Sequence, residues 1–469
     1  MTLRIGILPL ARPTFDVPYA QEMAARAFAA LEAASFTLAG DRALLFDAEA
    51  TRAALARLRD QPLDLVLILQ VTFADATMAV EIARAVSAPL AIWALPEPRA
   101  GGRLRLNAFC GMNLALHALG RADLLAGWLY AAPEDPAAPR RLAALAAGPE
   151  TGRTAPAAPR REPSDEDRAA AAEALGRLRG VRVGLVGEHP AGFDTCRYDP
   201  AELNRLLGVE VQRIELPVLF ARAEAADEGE VAAHRARLDS GVSGLAELDQ
   251  PQLDRSLRVY DALSGMAREQ GLQGLALRCW PEMFTDYGCA ACGPSGLLSG
   301  EGVPCACEAD VYGALTALML QGVAGEPSWL VDIVDIDAQD DTAVLWHCGS
   351  APLQMADPQV QPRAQIHSNR RMPLLAEFTL KPGRITLARI SQARNEPKLV
   401  LAGAQVLRAP MSFTGTSGVV RFDAAAGDVM SAMMDEALEH HVALVYGERR
   451  PALRAMAAEL GLPVLELTP

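Results

Sequence analysis

The segment Asp-Leu-Val-Leu-Ile-Leu-Gln-Val at positions 64–71 has almost no polar face. A strand wetted on one side alternates polar and apolar residues. A continuous apolar run suits a strand covered on both sides, as in a parallel sheet flanked by helices. The neighbouring segments agree. Residues 4–10 read as a first strand and 19–34 as a helix with alanine and leucine at helical spacing. Residues 75–86 read as a helix with Asp75 as its N-cap, and 90–95 as a further strand. This βαβ rhythm confines the N-terminal part to a doubly wound α/β architecture.

The rhythm breaks in a stretch rich in proline, glycine and charge. It then restarts at Val181-Arg-Val-Gly-Leu-Val-Gly187, with 274–277 as a later strand. Beyond about residue 340 the texture changes to β-type runs at 374–380, 383–391 and 398–407, separated by turns such as Lys381-Pro-Gly383. A helix at 427–439, a strand at 442–446 and a helix at 451–460 close the chain. We therefore expect four parts: a first α/β domain over 1–146, a linker over 147–168, a second α/β domain over 169–338 carrying an acidic site, and a β-rich domain over 339–469.

Composition excludes classes rather than naming one. The 469 residues hold 44 Lys plus Arg against 58 Asp plus Glu, a formal net charge of -14. Binding to nucleic acid or to an anionic membrane surface needs a cationic face, so neither is expected. No window reaches the roughly 18 apolar residues of a membrane span. The N-terminal apolar run is too short for an export signal. Eight cysteines in a chain of this length do not form a disulfide framework, and we expect reduced thiols and a cytoplasmic protein.

No glycine-rich phosphate loop is complete: Val183-Gly-Leu-Val-Gly187 and Ile5-Gly-Ile-Leu-Pro9 read as ordinary strands, so no dinucleotide or ATP is proposed. Cys289-Ala-Ala-Cys292 followed by Cys305-Ala-Cys307 suggests structural zinc, although the second spacing is tight for a tetrahedral site. The chemistry gathers elsewhere. Cys307-Glu-Ala-Asp310 opens an apolar helix, where acids also offset the helix dipole. Asp332 sits between Val331 and Ile333 in a strong strand pattern, and a buried carboxylate there needs a partner or a cation. His347 ends another apolar run, and Glu439-His440-His441 lies where a helix gives way to a strand. Carboxylates with imidazoles suit Mn²⁺, Mg²⁺ or a similar divalent ion better than thiolate sites do.

In this order, the motifs resemble the L-fucose isomerase / L-arabinose isomerase superfamily, best its fucose-isomerase-related branch. The resemblance rests on Gly192-Phe-Asp-Thr-Cys-Arg-Tyr198, Leu277-Arg-Cys-Trp-Pro281, Ala306-Cys-Glu-Ala-Asp-Val-Tyr312, Val331-Asp-Ile-Val-Asp335, Leu345-Trp-His-Cys-Gly349, Gly415-Thr-Ser-Gly418 and Glu439-His-His-Val-Ala-Leu-Val-Tyr-Gly447. It spans residues 180 to 450; before residue 145 the agreement is only in being α/β. The resemblance implies two α/β domains and a barrel-like third, with the metal between the second and third. It implies Glu308, Asp332 and His441 as ligands of a divalent metal, Mn²⁺ in the first instance, with His441 favoured over His440 because it directly precedes the strand. His347, Trp280 and Arg278 are implied as substrate contacts. The implied activity is aldose–ketose isomerisation of a sugar or sugar derivative, with Glu308 and Asp332 moving the protons. A homo-oligomer is also implied, a hexamer or similar, in which a neighbour's first domain completes the pocket. A non-catalytic sugar-binding or regulatory protein on the same scaffold is the competing reading.

Overall fold

A computed structural model describes residues 3–148 and 161–469. Most of the expected linker lies outside the described residues. Its end does not: the helix Asp165–Leu178 already begins there, with Ser164 and Asp167 forming a reciprocal cap. No helix among the described residues is long and apolar enough to cross a membrane.

The first sheet has five parallel strands in the spatial order Thr37–Ala39, Arg4–Leu10, Leu65–Gln70, Leu90–Ala94 and Gly127–Tyr130. Leu65–Gln70 is buried along its whole length, as its continuous apolar run requires. The second sheet is also parallel, in the order Glu210–Ile214, Arg182–Val186, Gly274–Leu277 and Cys305–Ala306. In both sheets the first strand lies between the second and third. The chain order reverses there, leaving a crevice at the carboxyl ends of the strands, where open α/β sheets take ligands.

The third sheet has nine strands, from Arg363–Gln365 at one edge to Val464–Glu466 at the other. Lys398–Val406 also pairs with Thr416–Phe422, which closes six of the strands into a barrel. Trp329–Asp337 belongs to this barrel, hydrogen-bonded to Thr342–His347 and His441–Tyr446. Its sequence pattern alone suits the second α/β domain, 169–338, instead. A covered parallel strand and a barrel strand packed on both sides carry the same apolar run, so pattern alone does not separate them.

The three sheets share their packing. One apolar core joins the first sheet to the barrel interior, and a second joins the helices of the second unit to the barrel and the helix Arg450–Leu460. A smaller cluster with Phe73, Phe193, Trp346 and Phe413 fills the junction of all three. At that junction Gly192 has φ +76, and a Cβ there would stand 2.7 Å from Asp75, so the loop carrying Gly192 can press against the first domain only as glycine.

Candidate metal centre and active site

The carboxyl ends of both parallel sheets open toward the barrel strand that carries Asp332. Leu65–Gln70 leads to Phe73, and Arg4–Leu10 leads to Arg12. Gly274–Leu277 leads to Cys279 and Trp280, and Cys305–Ala306 leads to Glu308. All of these side chains line one pocket, together with Asp332, His347, His367, Arg370 and His440. The first domain that lines the pocket is the chain's own.

Asp332 and His441 are opposite partners on adjacent antiparallel strands. Opposed side chains on one face stand close, and His441 Nε2 lies 3.3 Å from Asp332 Oδ1. The ladder shifts register between Ile333 and Asp335, a bulge beside the site. Glu308 enters from the second unit on a turn with φ +59, a left-handed backbone uncommon outside glycine and often found where function holds strain. Its Oε2 is 3.5 Å from His441 Nε2, and its Oε1 accepts a hydrogen bond from Trp280 Nε1 at 2.9 Å.

His441 is held from behind. Asp310 Oδ2 lies 2.9 Å from its Nδ1, and Arg389 forks onto both oxygens of Asp310. Burial alone would raise the Asp310 carboxyl, but Arg389 and His441 outweigh it and hold it well below the usual carboxylate range. An ionised Asp310 fixes the proton on Nδ1 and turns the other ring nitrogen toward Glu308 and Asp332. Carboxylate–imidazole pairs of this kind orient histidine ligands of metals.

The three front atoms, Glu308 Oε2, Asp332 Oδ1 and His441 Nε2, are buried and lack a hydrogen-bond partner. Burial raises the Glu308 carboxyl and pushes Asp332 up to about 6. For His441 burial acts downward, yet the Asp310 hydrogen bond and the charges of Asp332 and Glu308 prevail and push it up to about 9. Three buried, unpartnered ligand atoms that repel or compete for a proton match the donor set of a divalent cation. Geometry that could hold a metal occurs in overlapping groups here: Glu308 with His440 and His441, and Asp332 with His347 and His441.

His347 has a different arrangement. Its Nδ1 accepts the backbone N–H of Cys348 at 2.9 Å. The neutral ring therefore carries its proton on Nε2, which is buried, unpartnered and near Asp332. Nε2 is thus a donor pointed into the site.

Arg278 is not brought to the pocket. Its guanidinium forks onto Glu282 at 2.6 Å for each bond and donates to the Glu188 carbonyl. Trp280, two residues on, turns inward, and Phe193 of the Gly192–Tyr198 motif packs edge-on against it at 5.0 Å. The four cysteines proposed for zinc do not gather: Cys307 lies against Cys279 at 2.7 Å, and Cys292 groups with Cys348 and His367. Cys289 precedes and Cys292 opens the helix Cys292–Gly300, whereas Cys305 opens and Cys307 follows the strand Cys305–Ala306.

Two arginines are among the pocket residues without a sequence signal. Arg12 and Arg370 lie over the indole of Trp280, with guanidinium carbons 4.9 and 5.2 Å from the ring centroid. Both occupy loops without periodic pattern. Asp310 was legible only as a dipole-compensating acid.

Two parallel sheets whose strand ends converge on a buried carboxylate–carboxylate–imidazole cluster at a barrel define an enzyme suited to metal-assisted chemistry on a small polar molecule. Comparison with known proteins shows what the chain is similar to. A family model described as fucose/sulfoquinovose isomerase, N-terminal domain, matches residues 6–144. A sulfoquinovose isomerase from Clostridium sp. (strain MSTE9) is 29% identical over 464 residues, covering 98% of each chain. Those from Alkalicoccus urumqiensis and Priestia aryabhattai are 28% and 27% identical, over 87% and 94% of this chain. The chain is similar over nearly its whole length to these isomerases of the fucose-isomerase-related branch, and it is an enzyme, an aldose–ketose isomerase.

Proposed function

We propose that Glu308, Asp332 and His441 hold one Mn²⁺ ion and that the pocket above them isomerises a sulfonated aldose, sulfoquinovose in the first instance. The observation that carries the metal assignment is that two buried, unpartnered carboxylate oxygens, Glu308 Oε2 and Asp332 Oδ1, lie 3.5 and 3.3 Å from the unpartnered His441 Nε2. The substrate follows from the likeness to sulfoquinovose isomerases over nearly the whole chain.

A bound divalent cation would supply Lewis-acid stabilisation of the negative charge that develops on O1 and O2 of the open-chain sugar. The chain's own groups do the rest. Glu308 and Asp332 form the pair that moves protons: one takes the proton from carbon, and the other manages the hydroxyl proton between O1 and O2. Burial raises both carboxyls, bringing them closer to the range in which a carboxylate is an effective base. Trp280 Nε1 holds one Glu308 oxygen, which leaves the other free for the cluster. His347 donates from Nε2 to a sugar oxygen. Asp310 positions His441 and does not touch the sugar.

An oligomer, a hexamer or similar, is part of this reading by family likeness, and a cytoplasmic location is part of it because all eight cysteines are unpaired. The test is a panel of aldoses and ketoses, sulfoquinovose included, incubated with the protein and Mn²⁺ and read by product identification. Conversion of sulfoquinovose to its ketose is expected. No ketose from any aldose, with metal supplied, would overturn the reading.

A further inference from the structure

The pocket has one end that the isomerisation chemistry does not use. On one side of Trp280, its Nε1 reaches Glu308 and the proton-moving cluster. Over its face lie two guanidiniums, those of Arg12 and Arg370. Each arginine is placed by a different domain. Arg12 follows the first strand of the first sheet, at the crevice where the strand order reverses, and its backbone N–H is fixed by Thr72 Oγ1 at 2.8 Å. Arg370 sits on a tight loop off the barrel. There His367 Nδ1 accepts the backbone N–H groups of Asn369 and Arg370, both at 3.2 Å, and the Asn369 side chain is tied to Arg103 and the Leu104 carbonyl of the first domain. The two loops are therefore clasped together.

Glu308, across the indole, is near enough to act on both arginines, but it belongs to the proton-moving cluster and forms no ion pair with either. Arg12 meets one carboxylate, Asp75, through a single nitrogen at 3.4 Å. Arg370 has no carboxylate within ion-pair distance among the described residues, and its packing partners are the rings of Trp280 and Phe284. The two guanidiniums are close enough to repel each other. Two half-buried like charges, held rigidly with surplus N–H donors facing a cavity, make a site for an oxyanion, because arginine forks match planar or tetrahedral oxygen acceptors. A net acidic protein has no general need for cations here.

We infer that Arg12 and Arg370 form the subsite for an anionic group, a sulfonate, at the end of the aldose remote from C1. This rests on the isomerase reading for the position of C1 and C2 at Glu308 and Asp332. With those carbons at the cluster, the far end of the sugar lies beyond the indole, against the two arginines. The pair then decides which sugars are good substrates without taking part in proton transfer.

The experiment compares wild type with Arg370→Gln, Arg12→Gln and Arg370→Lys on three sugars: the sulfonated hexose, its uncharged parent and its 6-phosphate. For Arg370→Gln, kcat/KM on the sulfonated sugar is expected to fall at least tenfold, mostly through KM. The value on the parent hexose should stay within about twofold, and Arg370→Lys should recover part of the loss. A parallel fall on the phosphate would support a subsite that reads the anion as such; a fall confined to the sulfonate would support one shaped for it. An unchanged ratio of sulfonated to parent sugar in both glutamine variants would overturn the inference. Calorimetry with the methyl glycoside of the sulfonated sugar, whose closed ring cannot isomerise, gives a second readout. Binding at least tenfold weaker in Arg370→Gln is expected, and equal binding would overturn the subsite. If wild type converts no aldose, the isomerase reading fails while the calorimetric arm still decides the subsite.

Discussion

Asp332 Oδ1 and His441 Nε2 stand 3.3 Å apart because their residues are register partners on adjacent antiparallel strands of the barrel. The backbone ladder, not a flexible loop, sets the spacing of these two proposed ligands. Glu308 is the third, brought from the other domain on a left-handed turn. The site is complete only when the second α/β unit and the barrel are docked.

The first prediction concerns Glu308 and Asp332 themselves. Glu308→Gln and Asp332→Asn should each lower turnover by about 10²–10⁴-fold, the usual contribution of a positioned acid–base group. Both should also blunt the stabilisation that Mn²⁺ gives wild type, which is about 2.7 kcal/mol at a hundred times the Kd. Thermal melting with Mn²⁺ and with EDTA checks this. A full Mn²⁺ shift in Glu308→Gln would remove Glu308 from the ligand set.

Asp310→Asn tests the group behind the histidine. Loss of an orienting carboxylate commonly weakens metal binding about 10–100-fold. Here it also leaves Arg389, buried and paired to both Asp310 oxygens, without its counter-charge. Removing one partner of a buried pair costs about 3–5 kcal/mol. The variant should melt lower than wild type and need more Mn²⁺ for the same activity. Unchanged melting together with unchanged metal titration would show that Asp310 is only a helix cap.

The proposed ligands also set a pH dependence. In the metal-free protein the folded-state pKa of His441, about 9, exceeds the free value of about 6.5. Its contribution to stability is therefore fully present below about 6.5 and is lost as pH rises through about 9, on the order of 3 kcal/mol in all. Metal binding needs Nε2 without a proton, so the apparent Mn²⁺ affinity should rise about tenfold per pH unit over the same interval. The melting shift caused by Mn²⁺ should thus grow from pH 6.5 to 8.5. A shift that stays flat across this range would contradict the arrangement.

Much of this was legible in the sequence, for identifiable reasons. Both α/β units announce themselves through apolar runs at Leu65–Gln70 and Arg182–Val186, because parallel strands are covered on both faces. Glu308, Asp332 and His441 stand out as polar residues at the ends of or inside apolar elements. The barrel neighbours of Trp329–Asp337 are not legible, because its pattern reports burial and not pairing. Arg278 and Trp280 follow the same strand and differ only in the direction the loop turns them, which no local pattern encodes. Arg12 and Arg370 are separated by more than three hundred positions and meet only through the clasp between Asn369 and the first domain.

The final prediction separates a ligand from a donor. His347 accepts the Cys348 N–H at Nδ1, so its neutral ring presents an N–H at Nε2 and has no lone pair there for a cation. His441 presents the opposite tautomer, with Nδ1 held by Asp310 and Nε2 open. Two imidazoles with ring centroids 6.0 Å apart therefore have different jobs. His347→Gln, whose amide does not hold a donor at the position of the ring Nε2, should bind Mn²⁺ within a few-fold of wild type and lose turnover by about tenfold or more, since a lost hydrogen bond to a charged or developing-charge group is worth about 1.5–3 kcal/mol. His441→Gln should lose metal binding and turnover together. Metal titration of both variants, followed by kinetics at saturating Mn²⁺, makes the comparison direct. If His347→Gln releases the metal as readily as His441→Gln, then His347 is a ligand, its ring must carry the proton on Nδ1 in the loaded enzyme, and the hydrogen bond from Cys348 must break when the metal binds.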